Sequence, residues 1–357
     1  MQTFLCECGN KLHFANTQCV RCWRRLGYLP DDQVVSSLNE SEGNTYTASN
    51  GRPYRRCLND TQYDICNWMI PDTDPSAYCA SCRLTTTIPN LNRSENLTLW
   101  FRMEQAKRRL LYTLSKLDLP IYSRQEDPQN GLAFEFLEDE TQDIFGNELT
   151  VKNLVTTGHS GGIITLNLKE AKHSSRMAMR EEMNENYRTL LGHLRHESGH
   201  YYWDRLVANR DCLQGFRDHF GDERLDYRQS LQSYYDNGPA TNWQNVWVSA
   251  YASMHPWEDW AETWAHYLHM VDTLETASDY NFSVSQKSLT NPLHRYPQRN
   301  DKASDKHFER LMSDWLRLTT GLNALNRSMG LEDAYPFTLS SLAIEKLKFV
   351  HEVIGQS

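Results

Sequence analysis

The sequence predicts an α+β protein, mainly helical, with a small metal-organised region at its N-terminus. Three observations carry this. Eight of the nine cysteines fall before residue 83, in spaced pairs. Two stretches with strand patterning, "GLAFEFLED" and "GGIITLNL", are followed by long runs of helical apolar spacing. One of those runs contains "HESGHYYWD", two histidines four apart with a glutamate directly after the first.

A chain of 357 residues has room for two domains or for one sizeable core with appendages, since single cores stop growing near ~250–300 residues. Its charged and aromatic fractions, 23% and 11%, are those of a globular protein and not of a disordered one. The opening "MQTFLCECGN" has no basic segment followed by an apolar run, and no stretch approaches the ~18 apolar residues of a membrane span. This predicts a soluble, cytoplasmic protein without a membrane partner. A net charge of −9 disfavours nucleic acid and anionic lipid as partners of the whole molecule.

The elements follow in order. Cys6-Glu-Cys8 and Cys19-Val-Arg-Cys22 have a zinc-ribbon spacing, with Gly9 easing the first tight turn. Four such thiolates can converge on one tetrahedral Zn²⁺ at about 2.3 Å per bond. Cys57, Cys66, Cys79 and Cys82 form a second set that ends in Cys-x-x-Cys. Disulfides would not cluster in this way, and no export signal leads the chain to an oxidising compartment. Metal thiolates are therefore the better reading, and the lone Cys212 reads as packed. The expected organisation is a zinc ribbon over 1–30, a polar linker or loop over 31–50, a second four-cysteine zinc module over 51–93, and a catalytic body over 94–357.

From Ser94, a plausible N-cap, Leu97, Trp100, Phe101, Leu110, Leu111, Leu114 and Leu117 recur at helical spacing. Leu132, Phe134 and Phe136 alternate as in a strand, and "GGIITLNL" is rich in β-branched side chains. A helical stretch is expected over 176–208 and another from Pro256, because proline suits a first helical turn. Two more, near 304–327 and 340–353, close the chain.

On a helix, His196 and His200 lie one above the other and can aim their imidazoles at one point. Glu197 is rotated away from that point far enough to miss a metal but to reach a water at it, which is where a general base is needed. Catalysis also requires a third protein ligand. The best source is "HPWEDWAETWAHYLH", with Glu258 and Glu262 four apart; either carboxylate could face the histidine pair. Asp204, four residues past His200, is placed to accept the outer N–H of that imidazole, or is a solvated helix-face aspartate. Gly199 costs the helix about 0.5–1 kcal/mol relative to alanine, which implies close approach of another backbone.

His-Glu-x-x-His is the pattern of zincins. Glu258-Asp-Trp-Ala-Glu262-Thr-Trp resembles the gluzincin arrangement, and is similar to the glutamate helix of anthrax lethal factor. That resemblance implies Glu258 as third ligand, Glu262 as a carboxylate hydrogen-bonding a zinc histidine, and Tyr251 as a catalytic tyrosine seven positions before the ligand. It also implies that an edge strand, here "GGIITLNL", pairs with an extended peptide. The N-terminal ribbon, "TGHSGGIITLNLKEA", "YRTLLGHLRHESGHYYWDRL", "FGDERLDY" and "LNRSMGLEDAYPF" together resemble a bacterial family of zinc-binding metallopeptidases with a zinc ribbon. A zincin-like domain with one catalytic and two structural Zn²⁺ ions is then expected, hydrolysing an amide bond in a protein or peptide, with the ribbons available to a protein partner. The competing reading is a zinc-organised module for binding protein or nucleic acid. Its third zinc would be structural, closed by a fourth ligand such as His266.

Overall fold

The computed structural model describes residues 1–144, 148–175, 189–284, 287–294 and 301–356. They group into two compact units. The first holds residues 1–112 with the described residues from 121 to 175, and the second holds 113–120 with 189–356. The strands after residue 121 thus group with the cysteine-rich region in the first unit. The fold class is α+β, as expected.

In the first unit, β1 (Phe4–Leu5) and β2 (Lys11–Leu12) form a short hairpin. Its turn carries Cys6, Cys8 and Gly9, the last at φ +79°. A five-stranded antiparallel sheet follows in sequential order: β3 (Arg25–Leu29), β4 (Val34–Glu40), β5 (Thr45–Ala48), β6 (Pro53–Arg56) and β7 (Met69–Pro71). Leu29, Leu38, Ala48, Tyr54 and Met69 make its core. Residues 31–50 are thus not a linker, since β4 and β5 lie within them. What misleads in that stretch is burial without large apolar groups. Ser36 and Ser37 are both buried, and Ser36 Oγ bonds Ser37 O at 2.9 Å and Ser49 Oγ at 2.8 Å, so the hydroxyl enters the interior hydrogen-bonded.

The first cysteine region is joined to this sheet by Phe14, whose ring meets Tyr28 at 5.0 Å and Tyr112 at 5.2 Å, and by Asn67 Nδ2, which donates to Phe14 O at 2.7 Å. After α1 (Leu58–Tyr63) come β8 (Thr85–Thr87) and α2 (Asn96–Lys116), which starts two residues beyond Ser94. The second sheet adds β9 (Ala133–Leu137), β12 (Gly158–Ser160) and β13 (Ile163–Asn167) in the order β12-β13-β9-β8. A separate hairpin of β10 (Glu140–Ile144) and β11 (Glu148–Asn153) intervenes in sequence. Strand β13 is paired antiparallel to β12 and parallel to β9. The "GGIITLNL" strand is therefore paired on both sides, to β12 along Ile163–Thr165 and to β9 along its whole length, and is not the edge strand expected.

In the second unit, α3 (Leu190–Leu206) is capped by Thr189, whose side chain accepts from Gly192 N. The expected helix over 176–208 is observed from Leu190; residues 176–188 lie outside the described residues. Then come α4 (Leu213–Phe220), α5 (Tyr227–Asn237), α6 (Pro256–Asp279), α7 (Asp301–Ser328) and α8 (Ser341–Ile354). Pro256 does open its helix, behind His255 as N-cap. Trp260, Trp264, Tyr201, Tyr202 and Tyr267 are fully buried and form the core around α3 and α6. Burying aromatics of this size supplies much of the driving force for folding.

Candidate metal centre

Helices α3 and α6 meet where the side chains are smallest. A Cβ on Gly199 would lie 2.9 Å from Ala261 Cα and 3.2 Å from Trp264 Cβ, so the glycine permits the close approach its presence implied. Two indoles lock the contact: Trp260 Nε1 donates to Gly199 O at 2.8 Å, and Trp264 Nε1 donates to Ser198 Oγ at 3.1 Å. The buried Arg195–Asp272 ion pair, at 2.5 Å, holds the same two helices further along.

This packing brings three donors together. His196 Nε2 and His200 Nε2 are 3.2 Å apart. Glu258 places Oε2 at 3.0 Å from the first and Oε1 at 3.4 Å from the second. Tetrahedral bonds of about 2.0–2.1 Å put neighbouring ligand atoms ~3.3 Å apart, and these contacts, made by the two carboxylate oxygens in turn, are of that size. Among the described residues, His196, His200 and Glu258 form one of three groups whose donor atoms converge in this way.

The two glutamates left open by the sequence are separated by geometry. Glu258 meets both Nε2 atoms. Glu262, one turn on, bonds His196 Nδ1 at 2.7 Å and accepts from Ser249 Oγ at 2.6 Å, the carboxylate–histidine pairing that fixes which ring nitrogen faces a metal. Burial opposes the ionisation of all three groups, but their mutual bonds prevail. Glu258 is held well below the carboxylate range by His200 and His196, Glu262 falls to about 2, and His196 is held well above the ordinary imidazole value by the two carboxylates. The two carboxylates thus stabilise positive charge at the imidazoles, as they would on a metal ion held there.

Glu197 is buried beside this triangle and is not one of its three donors. Tyr251, in the short turn before α6, has its ring 6.1 Å from that of His196. Asp204 is exposed on α3; partial desolvation of its carboxyl raises its pKa, and the charge of His200 acts in the opposite direction. His266, the imagined fourth ligand, instead bonds Tyr335 OH through Nδ1 at 2.8 Å. Two participants carried no assignment from sequence. Ser249 orients Glu262, and Tyr227 donates to Glu258 Oε1 at 2.9 Å. Tyr227 is the last residue of "FGDERLDY", where only its position right after a helix-capping aspartate set it apart.

The cysteine groups fit metal equally well. Cys6 and Cys22, and likewise Cys8 and Cys19, have sulfurs 3.6 Å apart; so do Cys66 with Cys79 and with Cys82. Each set of four, the second including Cys57, lies within 4.8 Å. A tetrahedron with 2.3 Å bonds has edges of ~3.8 Å, whereas a disulfide would bring sulfurs to about 2.05 Å. Backbone N–H groups of Cys22 and Arg21 lower Cys19 to about 6, while burial pushes Cys6 up to about 12.

A histidine pair and a glutamate on facing helices, and two four-cysteine clusters earlier in the sequence, define a protein built to hold metal at three places among the described residues. The chain belongs to the family described as "Putative zinc-binding metallo-peptidase", which matches residues 96–353, and residues 3–93 match a zinc-ribbon domain. Similar proteins, each described as uncharacterized, occur in Mycobacterium bovis and in two strains of Mycobacterium tuberculosis. Each is 38% identical, over 100% of this chain and 96% of its own length. No solved structure matches the chain, so the likeness of its glutamate helix to that of lethal factor rests on the sequence pattern alone. Among the described residues, no helix is long and apolar enough to cross a membrane.

Proposed function

We propose that this protein is a zinc-dependent, gluzincin-type peptidase that hydrolyses an amide bond in a protein or peptide, working in the reducing cytoplasm that eight thiolate ligands suit. The observation that carries the reading is the convergence of His196, His200 and Glu258, with contacts of 3.0–3.4 Å, while Glu197 follows His196 in α3 and lies outside the ligand set. A zinc ion held there supplies a Lewis acid for the scissile carbonyl and for water. Glu262 and Ser249 keep His196 in the tautomer that faces the metal. Glu197 accepts the proton of the attacking water and delivers it to the leaving amine. Tyr251 offers its hydroxyl to the carbonyl oxygen as negative charge develops there. The two four-cysteine sites hold structural zinc.

The test turns on Glu197→Gln. Because this side chain is assigned to the water and not to the metal, the variant should keep its zinc and its fold. Loss of a positioned base typically costs ~10²–10⁴ in rate, so the variant should bind substrate and cleave it at least a hundredfold more slowly. Proteins captured by the variant are then presented to the zinc-loaded parent. If they emerge uncut, the site is a binding or structural one.

A further inference from the structure

We infer that Tyr227 is a positioning residue for the metal centre, one that fixes the orientation of the Glu258 carboxylate; the inference rests on the peptidase reading above. A glutamate on a helix has three side-chain torsions to settle before it can serve as a ligand. Glu258 is 2% exposed, so any lone pair it does not give to the histidines or a metal must find a donor inside the protein. That donor is the Tyr227 hydroxyl, 2.9 Å from Oε1. Tyr227 also hydrogen-bonds Tyr251, so one phenol links the proposed ligand to the tyrosine proposed to meet substrate.

The segment before Tyr227 is built to deliver it. Gly221 ends α4 at φ +99°, a backbone that only glycine adopts freely, and a Cβ there would press on Pro256 at 3.3 Å. Arg217 grips Glu223 with two bonds, at 3.0 and 2.5 Å. His255 accepts from Trp257 N at 3.1 Å through Nδ1, which leaves Nε2 to donate to Leu225 O, also at 3.1 Å. The residue that caps α6 therefore also pins the loop. Asp226 then caps α5 by accepting from Gln229 N, and Tyr227 follows at the first helical position. Every constraint in "FGDERLDY" converges on where that hydroxyl lies relative to the N-terminus of α6, two residues before Glu258.

The experiment measures zinc affinity by chelator competition, with zinc itself as the probe, on the full-length parent, Tyr227→Phe and Tyr251→Phe. Three convergent donor groups predict three equivalents in the parent, and His196→Ala marks which one belongs to this site. Removing a hydrogen-bond partner of a ligand typically weakens metal binding ~10–100-fold. Tyr227→Phe should therefore loosen the third equivalent by that factor and leave the two cysteine-held equivalents nearly unchanged. Tyr251→Phe, whose bond is to Tyr227 and not to Glu258, should stay within about threefold of the parent. If Tyr227→Phe holds the third zinc as tightly as the parent, or both variants loosen it alike, the positioning role is wrong and the peptidase reading stands. A parent that binds only two equivalents overturns both.

Discussion

Gly199→Ala sets two effects of opposite sign against each other. In an exposed helix the change is favourable by about 0.5–1 kcal/mol, because alanine loses less conformational freedom on folding. Here the new Cβ would sit 2.9 Å from Ala261 Cα and 3.2 Å from Trp264 Cβ and Cδ1. Carbon atoms pack at ~3.5–4.0 Å, so α3 and α6 must part by roughly 0.6 Å or more. The nearest obstacle is backbone, which cannot rotate aside. Overpacking of this kind costs about 1–3 kcal/mol, and we expect the variant to be about 1–2 kcal/mol less stable than the parent by urea denaturation. The metal site should suffer more than the fold. Glu258 and the histidines stand on the two helices being separated, and their spacing of 3.0–3.4 Å already matches a zinc tetrahedron. Zinc sites tolerate only about 0.2 Å in bond length, so affinity for the third equivalent should fall at least tenfold. Gly321→Ala is the control, since its Cβ would meet only Val284 methyls at 3.8–3.9 Å; it should gain about 0.5–1 kcal/mol. A Gly199→Ala protein as stable as the parent, with its third zinc equally tight, would refute the packing argument.

The carboxylates give a ranking: Glu258→Ala should strip the third zinc, while Glu262→Ala should weaken it ~10–100-fold, and elemental analysis showing the reverse order would exchange their roles. His351 gives a pH dependence. It is 1% exposed, and burial, aided by the neighbouring His307, lowers it from 6.5 to about 3. The unfolded chain then binds a proton that the fold refuses, so the contribution of His351 is complete above pH 6.5 and is lost as pH falls through 6.5 toward 3. At ~1.4 kcal/mol per pH unit, the loss between pH 7 and pH 5 is about 2 kcal/mol. His351→Gln should shrink the drop in unfolding free energy over that interval by this amount, and an unchanged drop would show that the imidazole titrates normally.

What the sequence made legible was chemistry of fixed spacing. The His196/His200 pair, Gly199 inside its helix and the start of α6 at Pro256 could be read because each depends on residues a turn or less apart, and both cysteine groups because clustered thiols outside a disulfide framework have few other uses. The five-stranded sheet escaped because its buried positions include Ser36 and Ser37 and its strands are short. Tyr227 escaped for another reason. It lies 31 residues from Glu258 in sequence, and no local pattern says that a tyrosine after Asp226 will meet a carboxylate on another helix. Ser249 was equally silent, 13 residues from the Glu262 it orients.

The choice between the two glutamates shows why a spacing rule stops short of a ligand set. His196 and His200, like Glu258 and Glu262, are i,i+4 pairs, so each pair presents one face, and neither pair specifies how the faces are aligned. The contacts between α3 and α6 supply the alignment. His200 lies with its ring centroid 3.9 Å from that of Trp257, Gly199 faces Ala261, Ser198 meets Trp264, His196 meets Glu262 and Arg195 meets Asp272. From His200 with Trp257 to Arg195 with Asp272 the numbers fall along one helix as they climb along the other, which makes the crossing antiparallel. A slip of one turn would carry Glu262 toward the two Nε2 atoms and Glu258 beyond them, and both sets would satisfy the sequence motif. That slip is opposed at two points. It would bring Leu268 in place of Trp264 to Ser198 and lose the indole hydrogen bond, and it would part the buried Arg195–Asp272 pair, whose breakage leaves an uncompensated charge at a cost of about 3–5 kcal/mol. Gly199 would meet Ala265 in place of Ala261 and accepts either register. Ligand identity is thus a property of helix register, set by an indole and an ion pair that themselves bind no metal.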